Sequence, residues 1–100
     1  MVASWYEARR FVVVDRNWRC RFGELDLVLL RDGLVVFCEV KARRTGTYGT
    51  GVEAVGAAKR RRLRRLAAEW LALSPYGPLE VRFDVAAVDG TVITVIENAF

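Results

Sequence analysis

One hundred residues, 53% apolar and 28% charged with a formal net charge of +4, suffice for one hydrophobic core and no second one, and they favour a polyanionic partner. That balance excludes a disordered chain. No apolar run reaches the roughly 18 residues of a membrane-crossing helix, and Met1 to Arg10 lacks a signal peptide's apolar centre, so a cytoplasmic protein with no membrane partner is expected.

Ala3 to Arg10 has helix-forming composition over barely two turns and reads as the short remainder of a longer first helix. Phe11 to Val14 is β-branched and Trp18 to Phe22 alternates apolar or thiol side chains with arginine. Both predict strand, separated by the turn-prone Asp15-Arg16-Asn17. Leu25 to Leu30 and Leu34 to Val40 are strongly apolar and flank Asp32-Gly33, a dipeptide favoured in type I′ hairpin turns. Thr45 to Gly51, with three glycines and three threonines, predicts a flexible loop beside whatever the preceding strand presents; it lacks the lysine and helix of a P-loop. From about Val52 to Leu73, Lys59, Leu63, Leu66, Trp70 and Leu73 follow helical steps, Ala67 widens the apolar stripe, and Pro75 and Pro78 end the helix. Leu79 to Val88 and Thr91 to Ile96 flank a second Asp-Gly turn, Asp89-Gly90. This order predicts an α/β fold with one central mixed β-sheet flanked by helices.

The chain has no histidine, and its two cysteines, Cys20 and Cys38, are far apart. Both read as reduced, buried thiols, and a structural zinc site or a histidine-based hydrolase is excluded. Catalysis must then come from carboxylates, lysine or a hard metal. A two-residue turn at Asp32-Gly33 pairs Arg31 with Leu34, and carrying that register outward opposes Asp26 to Glu39 and Glu24 to Lys41. These four side chains then share one face, at the end of an otherwise apolar hairpin. Opposed carboxylates destabilise a sheet, and Lys41 neutralises three of them only partly. A hard divalent cation offsets the rest, and magnesium accepts one or two carboxylates beside water and phosphate oxygens. The same group suits phosphodiester cleavage, in which metal and lysine stabilise phosphoryl charge and a desolvated lysine orients or deprotonates water. The plainer reading is an edge-strand ion-pair cluster, with Glu24 bound to Lys41 across the strands.

Asp26, twelve intervening residues and then Glu39-Val40-Lys41 resemble the PD-(D/E)xK signature of restriction-endonuclease-like nucleases and archaeal Holliday junction resolvases. A closer resemblance covers most of the chain. Arg16-Asn17-Trp18-Arg19, Gly23-Glu24-Leu25-Asp26-Leu27, Phe37-Cys38-Glu39-Val40-Lys41, Arg82-Phe83-Asp84-Val85 and Asn98-Ala99-Phe100 look like the bacterial YraN family, also catalogued as UPF0102. The resemblance implies a restriction-endonuclease-like three-layer domain over residues 1–100. It implies Asp26, Glu39 and Val40 as metal positions for Mg2+ or Mn2+, Lys41 as the catalytic lysine and Glu24 as an accessory acid. Lys59 matches a further position typical of the family. Members usually carry a Gly-Glu pair in a longer first helix; Glu7 matches a later position of that helix and is not assigned as a ligand. The activity implied is metal-dependent hydrolysis of phosphodiester bonds in DNA, structured or damaged. The alternative is a nucleic-acid-binding module of the same fold without efficient catalysis, and an adaptor with tryptophan-bearing surfaces ranks third. Junction-cutting relatives work as dimers, which makes a homodimer an open expectation.

Lys59 to Arg65 is by default a solvated helix face, but Arg61, Arg64 and Arg65 lie opposite the apolar stripe with no acid before Glu69. They join Lys59, Arg43 and Arg44 as candidate nucleic-acid contacts. Lys59 continues the apolar stripe and is expected either to face the carboxylates or to snorkel past the core edge. Trp5, Trp18 and Trp70 read as core or interface anchors. Arg82 and Asp84 read as a structural ion pair, with Glu97 across the strand.

Overall fold

The computed structural model describes residues 1–43 and 56–100. Arg44, the loop Thr45 to Gly51 and residues 52–55 lie outside the described residues, as does the side chain of Arg43. In chain order the elements are α1 (Val2–Glu7), β1 (Val12–Cys20), β2 (Gly23–Arg31), β3 (Leu34–Arg43), α2 (Ala57–Leu73), β4 (Glu80–Asp89) and β5 (Val92–Ile96). The strands form one mixed sheet in the order β1-β2-β3-β4-β5, with β3 and β4 parallel and every other pair antiparallel. A parallel pair needs a crossover, and α2 lies within the segment joining β3 to β4.

The β2–β3 turn has positive φ at both Asp32 (47°) and Gly33 (78°), as a type I′ turn requires, and Arg31 pairs with Leu34. The second hairpin differs from expectation. Asp89 pairs with Val92, so the turn is Gly90-Thr91, and Gly90 (φ 60°) takes the first central position. A positive φ there favours glycine, so the dipeptide is displaced by one residue from the Asp-Gly reading. Asp15-Arg16-Asn17 also departs from expectation: it is no turn but part of one continuous β1, with a register shift between Val13 and Asp15 and a positive φ (49°) at Asn17. The turn-forming residues are accommodated as strand irregularities because cross-strand pairing to β2 continues on both sides of them. The long helix is described from Ala57, after an extended Gly56, and residues 52–55, where its start was expected, lie outside the described residues.

The two helices cover opposite faces. Leu63, Leu66, Ala67 and Trp70 of α2 pack on Leu25, Val28, Val35, Phe37 and Val85. Val2, Ala3 and Tyr6 of α1 pack on Leu27, Leu29, Val36, Cys38 and Ala86. Trp70 anchors α2 twice: its ring meets Phe37 edge-on at 5.6 Å and its indole N–H donates to Asp15 Oδ2 at 2.9 Å. Trp18 and Trp5 pack against the two clusters, Trp5 beneath the Arg9 guanidinium at 3.5 Å. Leu73, expected in the stripe, is 75% exposed at the helix end. Cys38 is buried and Cys20 half-buried; both are free, and burial pushes the Cys38 thiol up to about 12. Among the described residues no helix is long and apolar enough to cross a membrane.

Asp84 of β4 is fully buried and saturated with donors. Tyr6 OH donates to Oδ2 at 2.6 Å, the Arg82 guanidinium reaches both oxygens at 2.9 Å, and the Asn98 N–H donates to Oδ1 at 3.0 Å. Glu97 lies 3.8 Å from Arg82, the ion-pair arrangement expected from sequence. This network ties α1, β4 and the C-terminal segment together. Asp84→Ala leaves the buried Tyr6 phenol unpaired and the Arg82 guanidinium with only the exposed Glu97 at 3.8 Å, so urea unfolding is expected to show a loss of about 2–4 kcal/mol, whereas Tyr6→Phe, which removes one donor, is expected to cost about 1–2 kcal/mol.

Candidate active site at the end of the β2–β3 ladder

The β2–β3 register runs from Arg31↔Leu34 to Leu27↔Cys38 and stops there. Continued regularly, it would send the Val40 N–H to the main-chain carbonyl of Leu25. Instead that N–H donates to Asp26 Oδ2 at 2.8 Å, a side-chain acceptor replacing a main-chain one. The irregularity extends to β1: Arg16↔Leu27 and Trp18↔Leu25 pair, but the intervening Asn17 and Asp26 do not. Leu25 and Leu27, two residues apart, accordingly pack into opposite clusters. The strand loses its two-residue alternation at Asp26, although its register with β1 is the same on either side. Asp26 therefore lines cavities on both sides of the sheet. The one on the α2 side, of about 260 Å³, is bounded by Phe22, Gly23, Glu24, Glu39, Lys59, Arg62 and Leu63; the one on the α1 side, of about 510 Å³, includes Arg16, Asn17 and Val40.

Glu39 lies on the α2 side, with Lys59 Nζ 3.5 Å from its Oε1. Burial raises the Glu39 pKa above the ordinary carboxylate range, and the charge and a hydrogen bond of Asp26 raise it further, against the opposing pull of Lys59 and Lys41. Lys41 is held below the ordinary lysine range, first by a hydrogen bond with Lys59, then by burial and by the Lys59 charge. Two acids and two amines thus act on one another at a single spot. Lys59 takes the first of its two expected positions, turned toward the carboxylates.

Glu24 departs from expectation. It lines the same cleft, but its carboxylate pairs with Arg19 Nε at 2.6 Å, because Arg19 is its cross-strand partner in β1. Neither of the expected cross-strand pairs, Asp26 with Glu39 and Glu24 with Lys41, is formed, since the β2–β3 ladder ends at Leu27 and Cys38. Among the described residues no three acids, thiols or imidazoles gather closely enough to hold a metal alone. The acids that meet here are Asp26 and Glu39. Two mutually repelling carboxylates fit a magnesium-like ion that completes its octahedron with water and phosphate oxygens, and they do not fit an all-protein cage.

The basic residues of α2 divide between its flanks. Arg64 lies over Phe83 and Phe100, at 6.0 and 5.8 Å, on the β4 side; Arg65 lies over Phe22 at 4.2 Å and 3.7 Å from Glu69. Arg61 is exposed. Arg44 and the Arg43 side chain lie outside the described residues. The cleft residue missed from sequence is Arg62. It stands one helical step of three beyond Lys59, a spacing that would have found it.

The profile of "Uncharacterised protein family UPF0102" matches residues 1–88. The chain belongs to this family. It is 60% identical over 77 residues to the UPF0102 protein of Frankia alni, a stretch covering 76% of this chain and 63% of that protein. The UPF0102 protein of Kineococcus radiotolerans is 54% identical over 77 residues (76% of this chain, 63% of that protein), and that of Beutenbergia cavernae is 55% identical over 89 residues, 88% of this chain and 75% of that protein. The chain thus spans just under two thirds of the length of relatives such as the Frankia alni protein. The match to the UPF0102 profile contains Asp26, Glu39, Lys41, Lys59 and Arg62.

Because Glu39 holds its proton more tightly in the folded chain than in the unfolded one, its contribution to stability is complete below the unfolded pKa and is lost as pH rises through the raised folded value. Glu39→Gln removes that loss. Thermal melts from about pH 4 to about pH 8 are expected to show the variant gaining on the native chain as pH increases.

Proposed function

We propose that this UPF0102 chain is a metal-dependent phosphodiesterase of the restriction-endonuclease-like type that hydrolyses DNA, structured or damaged rather than defined by a short sequence. The observation that carries this reading is the meeting of Asp26, Glu39 and Lys59 on a cleft of about 260 Å³ at the end of the β2–β3 ladder, with Lys41 within electrostatic reach of both acids. Acids able to hold a cation beside lysines able to stabilise phosphoryl charge suit in-line attack on a phosphodiester.

Asp26 and Glu39 are the residues that hold Mg2+ or Mn2+ in this reading, with Val40 fixing the orientation of Asp26 through its N–H. The bound cation supplies Lewis-acid stabilisation of the phosphoryl oxygens. Lys41 donates to and orients the attacking water, whose proton passes to solvent. Lys59 holds Glu39 in place and faces the phosphate as charge develops. The water's oxygen bonds to phosphorus as the bond to the departing sugar oxygen breaks, and that oxygen takes up a proton from solvent. Symmetric cutting of a junction needs two such sites, which a homodimer supplies.

A second reading, a nucleic-acid-binding module without turnover, is favoured by one observation: Glu24 is paired with Arg19, which leaves two acids at the site where the sequence offered three. Cleavage of labelled single-stranded, duplex, flap and four-way-junction DNA with Mg2+ or Mn2+ separates the two. The nuclease reading expects metal-dependent cutting that falls by on the order of 100-fold or more in Glu39→Ala and in Lys41→Ala. Salt-sensitive binding without cutting of any substrate transfers the conclusion to the second reading.

A further inference from the structure

The α2 charge run looks continuous in sequence, yet its two flanks face different surroundings. Arg64 leans over Phe83 and Phe100, away from the cleft. Arg62 and Arg65 lean the other way, over the β1–β2 turn. An ideal Cβ on Gly23 would lie 3.9 Å from Arg62 Cδ and 3.5 Å from Leu66 Cδ1, so the bare glycine backbone carries the Arg62 stem directly. Gly23 has a φ of +138°, which strains any other residue, and it opens β2 two residues before Leu25. The preceding residue, Phe22, lines the cleft and has two guanidinium groups within cation–π distance, Arg65 at 4.2 Å and Arg21 at 4.9 Å.

We infer that a nucleic-acid strand leaving the Asp26–Glu39 cleft runs across the β1–β2 turn, its phosphates met by Arg62 and Arg21 beside Phe22, and not along the Arg61–Arg64 side of α2. This rests on the reading of the cleft as a nucleic-acid site. Four features support the path. Phe22 and Arg62 both line the cleft, so the basic and aromatic groups are continuous with it. Among the described residues no carboxylate lies within salt-bridge distance of Arg62 or Arg21, which leaves both guanidinium groups to a ligand. The Arg65–Glu69 pair, at 3.7 Å and well exposed, is a weak competitor. A guanidinium stacked on a ring keeps its N–H edge for phosphate oxygens.

The test is binding of a fluorescein-labelled DNA strand and duplex to the full chain, measured by anisotropy over a salt series in EDTA so that no cutting intervenes. Arg62→Ala and Arg21→Ala are each expected to weaken binding severalfold at low salt and to lower the slope of log K against log salt by about 1. Arg61→Ala and Arg64→Ala are expected to change affinity by less than about twofold, thermal melts confirming that all four variants fold. Equal losses in all four variants, or losses confined to Arg61 and Arg64, overturn the path. The nuclease reading fails separately, if the native chain cuts nothing while this pattern of binding holds. A native chain that does not bind DNA at all overturns both.

Discussion

The hydrogen bond from the Val40 N–H to the Asp26 carboxylate decides where the β2–β3 pairing ends, and with it where reactive side chains can collect. An antiparallel ladder normally satisfies its main-chain donors with main-chain carbonyls, leaving side chains to alternate across the sheet. Where a carboxylate takes over that task, the strands part and the alternation breaks. One acid then reaches cavities on both faces of the sheet. The irregular backbone of Asn17 beside it, with φ of 49°, belongs to the same departure from regular pairing.

The rest of the fold holds that point steady. Leu63, Leu66 and Trp70 press α2 onto β2 and β3, which sets Lys59 at 3.5 Å from Glu39 and Arg62 over Gly23. On the opposite face α1 is tied to β4 by the Tyr6–Asp84 bond, and burial pushes the Tyr6 phenol far above its ordinary range. The two polar centres differ in kind. Asp84 is buried with four hydrogen bonds to its oxygens and serves stability. Glu39 sits beside Asp26 with its ionised form disfavoured, a local cost that structural packing gives no reason to keep and that a cation would relieve.

Much of this was legible in the chain. Asp32-Gly33 implied its turn type and the turn implied the register, which holds as far as Leu27 and Cys38; the Asp26–Glu39 pair extrapolated from it lies just beyond that end and is not formed in the ladder. The helical spacing of Lys59 with Leu63 and Leu66 pointed the lysine toward the sheet. What stayed hidden has specific causes. Extrapolating a register cannot foresee where the ladder stops, so Glu24 was paired with Lys41 when its true neighbour is Arg19, a residue reached only through the β1–β2 pairing. Local turn propensity split β1 at Asp15 to Asn17, although long-range pairing with β2 carries the strand through. Asp89-Gly90 was read one residue early because both dipeptides, Asp-Gly and Gly-Thr, suit a tight turn, and only the Asp89–Val92 pairing chooses. Arg62 was passed over because counting charges on the face opposite the core overlooks an arginine whose stem lies along the core edge.

In the proposed function, Asp26 and Glu39 together form one divalent-cation site. Its most direct test is Mn2+ binding followed by electron paramagnetic resonance, comparing the native chain with Asp26→Asn and with Glu39→Gln. One Mn2+ is expected to bind the native chain, with a large loss of affinity in either variant. Mn2+ binding that is absent from the native chain, or that is unchanged by both substitutions, would contradict it.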